Sequence, residues 1–195
     1  QAAIVLKLVS TDQELFILWL LKTEGEIGRY HLARALGESQ GVARGILARM
    51  KRRGLIIVQP RTAARVSRKG LRRLASLMKY HRLTRVERLD PTHLGLGPEN
   101  VIFQVNRCST LLGQGIVQRD AAIKAGATGA VTFLYDGKTL KFPGVAESVS
   151  RRSPTTFEQL RRRLKMMKGD VVLISFANTW WEAARGGFAA IRTLA

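Results

Sequence analysis

The residues best suited to chemistry in this sequence lie in one predicted helix, over 40–53. Four apolar residues recur at helical spacing and predict its buried side: Val42, Ile46, Leu47 and Met50. The opposite side carries small and basic residues: Gly41, Arg44, Gly45, Ala48 and Arg52. Small residues allow close approach to another surface, and arginine matches phosphates and guanine edges. The pattern favours a helix that enters the major groove of DNA.

The overall charge favours a polyanionic partner. The 195 residues carry 33 Lys and Arg against 14 Asp and Glu, for a formal charge of +19. Residues 1–90 hold 19 basic and 7 acidic residues, and residues 91–195 hold 14 and 7. Such a charge attracts nucleic acid first and anionic lipid second. A generally basic proteome is the alternative source of the excess.

The remaining composition excludes several classes of site. Cys108 is the single cysteine, and His31, His81 and His93 lie far apart, so we expect no disulfide and no metal. No paired carboxylates or nucleophile–base pair indicate an enzyme, and no cofactor motif is present. No apolar run approaches the roughly 20 residues that span a bilayer, and the start lacks a signal-peptide pattern. We therefore expect a cytoplasmic protein with no membrane contact.

The elements that would position the basic helix begin with an apolar one. Thr11 and Glu14 have capping-box spacing and predict the start of a helix that ends near Gly25. Its apolar residues lie nearly all round, so we expect burial on several sides, in part by a second subunit. A winged helix-turn-helix order follows: a helix over 30–36, a turn over 37–39, the helix over 40–53, and strands over 55–59 and 64–67. Ser39 would cap the basic helix, and the loop 60–63 would be the wing.

Eleven residues of this region form a recognisable pattern: Gly41, Leu47, Lys51, Gly54, Leu55, Ile56, Val66, Ser67, Lys69, Gly70 and Leu74. They resemble the winged helix of MarR-like and related archaeal regulators, over roughly residues 5–80. The resemblance implies binding to double-stranded DNA as a homodimer, with the helix 40–53 in the major groove. The DNA-binding residues would be Ser39, Gln40, Gly41, Arg44, Ala48, Lys51, Arg52, Arg61 and Arg65.

One departure affects sequence specificity. The recognition face lacks Asn and has only Gln40 at its edge, so we expect few base-specific contacts. A winged helix that binds protein is a further alternative, although such domains usually lose the basic residues kept here. The main prediction is a dimeric transcription regulator. The alternative is a non-specific architectural, chromatin-like DNA-binding protein.

The second half has the order strand, helix, two strands, helix, strand, which predicts a ferredoxin-like βαββαβ domain with an extra C-terminal helix. The predicted organisation is α+β: a winged helix-turn-helix over 1–82, a linker over 83–100 that could include a short strand near Val86, and a sensing or dimerisation domain over 101–195. This plan is similar to that of Lrp-like regulators. In detail, the second domain resembles an uncharacterised domain that follows winged helices in archaea.

Two further features of the second half could bind ligands. A polar loop with two glycines precedes a predicted helix, and exposed N–H groups at a helix start attract anions. The candidate residues for a small anionic effector are Ser109, Gly113, Gly115 and Arg119. A plain strand-to-helix turn needs glycines as well, so both interpretations stay open. The basic helix around 161–168 could contact DNA or simply face solvent.

Overall fold

A computed structural model describes residues 11–58, 63–89, 96–145 and 148–194 of the chain. The chain divides into two compact units, one that extends to Leu77 and one that begins at Met78. Both units mix helices and sheet, as an α+β chain does.

The first unit contains seven elements: α1 (Thr11–Glu24), β1 (Glu26–Ile27), α2 (Arg29–Leu36), α3 (Gln40–Arg52), β2 (Ile56–Val58), β3 (Ala64–Val66) and α4 (Arg68–Tyr80), which runs across the division. The three strands form an antiparallel sheet in the order β1-β3-β2. Glycines at the left-handed positions 37 and 54 end α2 and the turn after α3. Residues 59–62 lie outside the described ranges, and with them most of the predicted wing.

The apolar helix α1 is enclosed by the single chain. All seven residues from Leu15 to Leu21 are buried, none of them more than 5% exposed. The expectation of burial on several sides is confirmed, and this burial needs no second subunit.

The second unit is built on a five-stranded antiparallel sheet. Its elements are β4 (Leu83–Leu89), β5 (Glu99–Val105), α5 (Ile116–Lys124), β6 (Gly129–Tyr135), β7 (Leu140–Lys141), α6 (Val149–Arg152), α7 (Pro154–Arg163), β8 (Val171–Ala177) and α8 (Trp180–Ile191). The strand order is β4-β5-β8-β6-β7, and every neighbouring pair is antiparallel.

The segment 83–100 is not all linker, contrary to the expectation from the sequence. Residues 83–89 form the edge strand β4, which pairs with β5 from Leu83↔Val105 to Leu89↔Asn100. Leu83 and Leu89 are buried while the residues between them are mostly exposed, because an edge strand meets water on one face. The short strand expected near Val86 is thus a seven-residue edge strand, and sparse apolar residues and nearby prolines hid its full length in the sequence.

The strand pairing also differs from the predicted ferredoxin-like arrangement. Such a sheet places the third strand of the βαββαβ order between the first two, whereas here the last strand, β8, lies between β5 and β6. The lengths explain the exchange: β7 has only two residues and stays at the edge. The seven residues of β8 are almost all buried, as a central strand requires.

Helices cover both faces of this sheet. On one face Ile102, Val172 and Ile174 pack with Phe157 and Leu160 of α7. Neighbouring residues of a strand point to opposite faces, so Phe103 points to the other face. There it meets Phe188 of α8 edge-on, with 5.1 Å between the ring centroids. A Cβ at Gly187 would overlap the Phe103 ring, so this glycine lets α8 approach the sheet closely.

Candidate nucleic-acid interface

The helix α3 turns its basic side outward. Its buried residues are Ala43, Ile46 and Met50, at the three- and four-residue spacing of a single helical face. The predicted buried side was therefore rotated by a fraction of a turn: Val42 is 41% exposed, and Leu47 is only half-buried. The rotation carries Leu47 to the same side as Arg44 and Lys51.

That outward side forms one wall of a groove of about 740 Å³. The other walls are the start of α2 and the strands β2 and β3. The lining residues are Ile27, Gly28, Arg29, Tyr30, Arg44, Leu47, Ala48, Lys51, Val58, Ala63 and Ala64. A smaller cleft of about 240 Å³ lies between Arg29, Gln40, Gly41 and Arg44. Apolar residues form most of the groove, and each of its charged residues is basic.

Five of the nine predicted DNA-binding residues lie together around this groove and cleft: Gln40, Gly41, Arg44, Ala48 and Lys51. Ser39 has a structural role, because its Oγ accepts a hydrogen bond of 3.3 Å from the backbone N–H of Val42 and caps α3. Arg52 is exposed but lies outside the groove lining.

Of the two arginines predicted in the hairpin, Arg65 is not part of the groove. Ala64 lines it, so the next residue, Arg65, points to the other face of β3. Arg65 pairs there in register with Glu26 and Ile57. Arg61 lies outside the described residues.

The sequence analysis missed two residues at the start of α2. The Arg29 guanidinium lies 4.8 Å from the centre of the Tyr30 ring and donates a hydrogen bond of 2.9 Å to the Tyr30 hydroxyl. Tyr30 is 55% exposed within the groove. Gly28 precedes α2 and offers no side-chain cap, so the first N–H groups of the helix remain open to an incoming acceptor. A basic–aromatic pair directly after a glycine was the available signal.

A buried carboxylate fixes the end of α3. Glu14 is 1% exposed, and its Oε1 accepts a hydrogen bond of 2.6 Å from Nε of Arg73 on α4. Its Oε2 accepts another from Nη1 of Arg53, directly after α3. The Glu14 side chain thus turns inward to two arginines, and α1 begins at Thr11 as the capping-box spacing predicted. This contact ties α1, α3 and α4 together.

Two motif residues join α3 to α4. The Ser67 hydroxyl donates a hydrogen bond of 2.6 Å to the carbonyl of Gly54, and accepts one of 2.9 Å from the N–H of Gly70. A Cβ at Gly70 would overlap the carbonyl oxygen of Leu55 and the side chain of Val66. The Ser-x-x-Gly spacing thus lets α4 start directly against the chain that leaves α3.

The four residues predicted to bind a small anion have separate surroundings. A Cβ at Gly115 would contact Thr132 and Pro143, whereas Ser109 lies beside the turn at Gly169. Gly113 faces open space, and Arg119 pairs with Asp120 at 3.0 Å. The structure does not gather these residues into one site.

Three other features were considered in the described residues: a metal site, a reactive cysteine and a membrane-spanning helix. Across the described ranges, no three His, Cys, Asp or Glu residues lie close enough together to hold a metal ion. Burial raises the pKa of the Cys108 thiol to about 11, so the thiol stays protonated at neutral pH. Among the helices that the structure describes, none has the length and apolar character needed to cross a bilayer.

Comparison with known proteins links the chain to uncharacterised relatives. It is similar to a solved structure, the hypothetical protein PH0730 from Pyrococcus horikoshii OT3, with a TM-score of 0.68 and 19% identity. The match covers 95% of this chain and 90% of that one, and at this identity it concerns the fold alone. None of the curated proteins matches.

A family match covers residues 96–194 and carries the description Domain of unknown function (DUF4443). It agrees with the resemblance of the second half to an uncharacterised domain, and the family that it names is neither MarR-like nor winged-helix. The match spans half of the chain and nearly all of the second sheet and its helices. The chain belongs to the DUF4443 family.

Proposed function

We propose that the first unit is a winged helix-turn-helix and that the protein regulates transcription by binding double-stranded DNA. The order α1–β1–α2–α3–β2–β3–α4, with β1 paired to β3, is compatible with this fold. In this proposal α3 enters the major groove, and the hairpin of β2 and β3 lies along the backbone.

The observation that carries the proposal is the position of the basic residues on and next to α3. Arg44 and Lys51 lie with Gln40 on the outward side, while Arg53 is held by the buried Glu14. No acidic residue lines the described groove. Basic side chains on an outward helix face neutralise phosphates and release counterions, which supplies much of the affinity for DNA.

The start of α2 adds a phosphate contact to this proposal. Its open N–H groups and the Arg29 guanidinium lie at the same wall of the groove. A helix N-terminus carries partial positive charge and accepts an anion readily. Arg29 and the first turn of α2 would hold the backbone while Gln40 and Arg44 meet base edges.

A homodimer fits the proposal, and the second unit offers a surface for it. Three apolar residues of α5 are exposed by 47% or more: Ile116, Val117 and Ile123. Apolar residues grouped on one exposed helix are typical of a subunit interface. The second unit would then dimerise the regulator, and we propose no catalytic role for it.

A second candidate function is non-specific, architectural DNA binding. It is favoured by the groove and the cleft beside it, where Gln40 is the one amide side chain among the lining residues that the structure describes. Arginine and lysine alone bind phosphate on any sequence, whereas amides read adenine.

The test is selection of short genomic duplexes at two salt concentrations, followed by sequencing of the retained DNA. A shared motif that survives higher salt supports the regulator, and uniform retention that vanishes with salt supports the architectural protein. The matched variants are Arg44→Gln/Lys51→Gln in the groove and Lys22→Gln/Lys79→Gln at exposed positions outside it.

We expect the groove variant to bind about tenfold more weakly, and the control variant to lose much less. Both variants lower the net charge equally, so a difference between them reports the groove and not the overall field. Equal affinities for the two variants would overturn the placement of DNA in the groove. No retention of any duplex by the unmodified protein would overturn the function.

A further inference from the structure

A second strongly basic surface lies in the second unit, on α6, α7 and the chain that follows them. Residues 149–168 contain seven basic residues and a single acidic one, Glu158. The basic residues are Arg151, Arg152, Arg161, Arg162, Arg163, Lys165 and Lys168. All seven are exposed, and we call them the α6–α7 surface.

The packing of α7 dictates this exposure. Phe157, Leu160 and Leu164 enter the core against the sheet, each no more than 6% exposed. Because one side of the helix is occupied in this way, its three consecutive arginines must face solvent. The apolar residues of 149–168 are otherwise covered, with Met167 as the exposed exception.

Charge on the α6–α7 surface is poorly balanced in comparison with the rest of the unit. Elsewhere basic groups lie next to acids, as in Arg88–Glu99 at 3.0 Å and Lys141–Asp136 at 2.8 Å. On α7, Glu158 lies 4.0 Å from Arg161, the outer limit of an ion pair. One carboxylate at that distance leaves a large positive excess.

Helix stability explains only part of this arrangement. Basic residues in a last helical turn interact favourably with the helix dipole, which accounts for the place of Arg161 to Arg163. The carbonyl of Arg163 already accepts a hydrogen bond from the Arg85 side chain. Arg151 and Arg152 also lie in a last turn, that of the four-residue α6, but the dipole does not account for the basic residues beyond residue 163.

We infer that the α6–α7 surface binds the phosphate backbone of nucleic acid, as a site separate from the groove of the first unit. Five of its seven basic residues are arginines, whose planar guanidinium matches phosphate oxygens in a fork. A membrane is a poorer partner because the apolar side of α7 is buried in the core and cannot enter lipid. The inference does not depend on the proposed role of the groove.

The experiment compares two double variants of the full chain in binding to a random-sequence duplex over a series of salt concentrations. Arg161→Gln/Arg162→Gln removes two charges from the α6–α7 surface. Lys22→Gln/Lys79→Gln removes two exposed charges that belong neither to the α6–α7 surface nor to the groove. Amide exchange of β5 and β8 verifies that both variants keep the fold.

The logarithm of the association constant falls with the logarithm of salt by about 0.9 for each phosphate contact. We therefore expect the α7 variant to reduce that slope by up to about 1.8, and the Lys22→Gln/Lys79→Gln variant to leave it nearly unchanged. Equal slopes for the two variants would overturn the inference.

Two further arms distinguish this surface from the groove and from a lipid-binding surface. The groove variant Arg44→Gln/Lys51→Gln tests the first unit independently, so either site can fail while the other holds. Vesicles of equal parts phosphatidylglycerol and phosphatidylcholine test lipid. A loss of vesicle binding in the α7 variant, with duplex binding intact, would assign the surface to membranes and overturn the inference.

Discussion

Each unit contains a buried carboxylate, and the two are satisfied in different ways. Glu14 in the first unit receives the guanidinium groups of Arg53 and Arg73, which come from two other parts of the chain. Asp170 in the second unit is fully buried and receives neutral donors. Its Oδ2 accepts from Nε2 of Gln104 and from the N–H of Met167, each at 2.9 Å, and its Oδ1 accepts from the N–H of Arg107 at 3.2 Å.

This difference distinguishes arginines that neutralise a buried carboxylate from basic residues that do not. In the first unit two arginines pair with the buried Glu14, so not all of the basic residues of that half are available for binding. In the second unit the buried carboxylate engages no arginine or lysine side chain among the hydrogen bonds described for it. The basic residues of α7 are therefore not needed to satisfy it, and their removal should leave the fold intact.

The largest effect should follow Asp170→Asn. An amide at this place presents N–H groups to donors that now face a carboxylate, and buried donors without acceptors are costly. We expect the free energy of unfolding of the second unit to fall by about 3 kcal/mol. Amide exchange in β5 and β8 measures the loss unit by unit, which a single melting temperature of a two-unit chain would not.

The control for this change is Asp120→Asn on α5, where the carboxylate is only half-buried and pairs with exposed Arg119. A surface pair of this kind contributes less than about 1 kcal/mol. If Asp170→Asn and Asp120→Asn altered exchange equally, the buried network would not be what holds the ends of β5 and β8.

A smaller effect is expected for Glu14→Gln in the first unit. The side chains of Arg53 and Arg73 are 49% and 36% exposed, so water can solvate them in part when the carboxylate is lost. We expect a loss of about 1–2 kcal/mol in the first unit, below that of Asp170→Asn. Exchange of α1 and α3 amides would report it.

The same variant tests whether Glu14 matters for DNA. Glu14→Gln removes the ion pairs that hold Arg53 and Arg73, so the end of α3 should become less ordered. We therefore expect duplex affinity to fall, although a negative charge has been removed. Glu24 is exposed on the same helix, so Glu24→Gln removes the same charge and leaves the ion pairs of Glu14 in place. It should slightly raise the affinity for the duplex. If duplex affinity rose equally in Glu14→Gln and Glu24→Gln, the ion pairs of Glu14 would have no role in DNA binding.

The sequence predicted the outward side of α3 only approximately. Helical spacing alone leaves the phase of the face open when apolar residues occupy more than one side, as Val42 and Leu47 do here. The packing of Ala43, a small residue that periodicity weights little, sets the true phase. Arg29 and Tyr30 join the site only through the placement of α2 beside α3, which no local pattern states.

In the second unit the order of elements along the chain did not determine how the strands pair. Strands and helices follow the predicted sequence, but pairing depends on which strand is long and apolar enough for the centre. The β8 segment VVLISFA meets that demand, and the two-residue β7 does not. The charged residues of β4 concealed its full length, because only its two end residues, Leu83 and Leu89, are buried.

A half-buried carboxylate, Asp136, completes the series with the smallest effect. The hydrogen bond from Lys141, followed by those from the backbone N–H groups of Thr139 and Lys138, holds the pKa of Asp136 well below its usual range.

A lowered pKa in the folded state means that the folded protein resists protonation more than the unfolded chain does. The stabilisation is therefore complete above the usual Asp pKa of about 4, and is lost as the pH falls from there toward the lowered value. Asp136→Asn should flatten the pH dependence of unfolding below about pH 4. At pH 7 it should lower the free energy of unfolding by about 1 kcal/mol or less, because 28% of the side chain is exposed to screening water. Denaturant unfolding of both proteins between pH 2 and 7 checks this, with Asp120→Asn as the control that should keep the original slope. If Asp136→Asn left the acid limb unchanged, the contacts at this turn would contribute nothing to the second unit, and its stability would rest on buried groups such as Asp170.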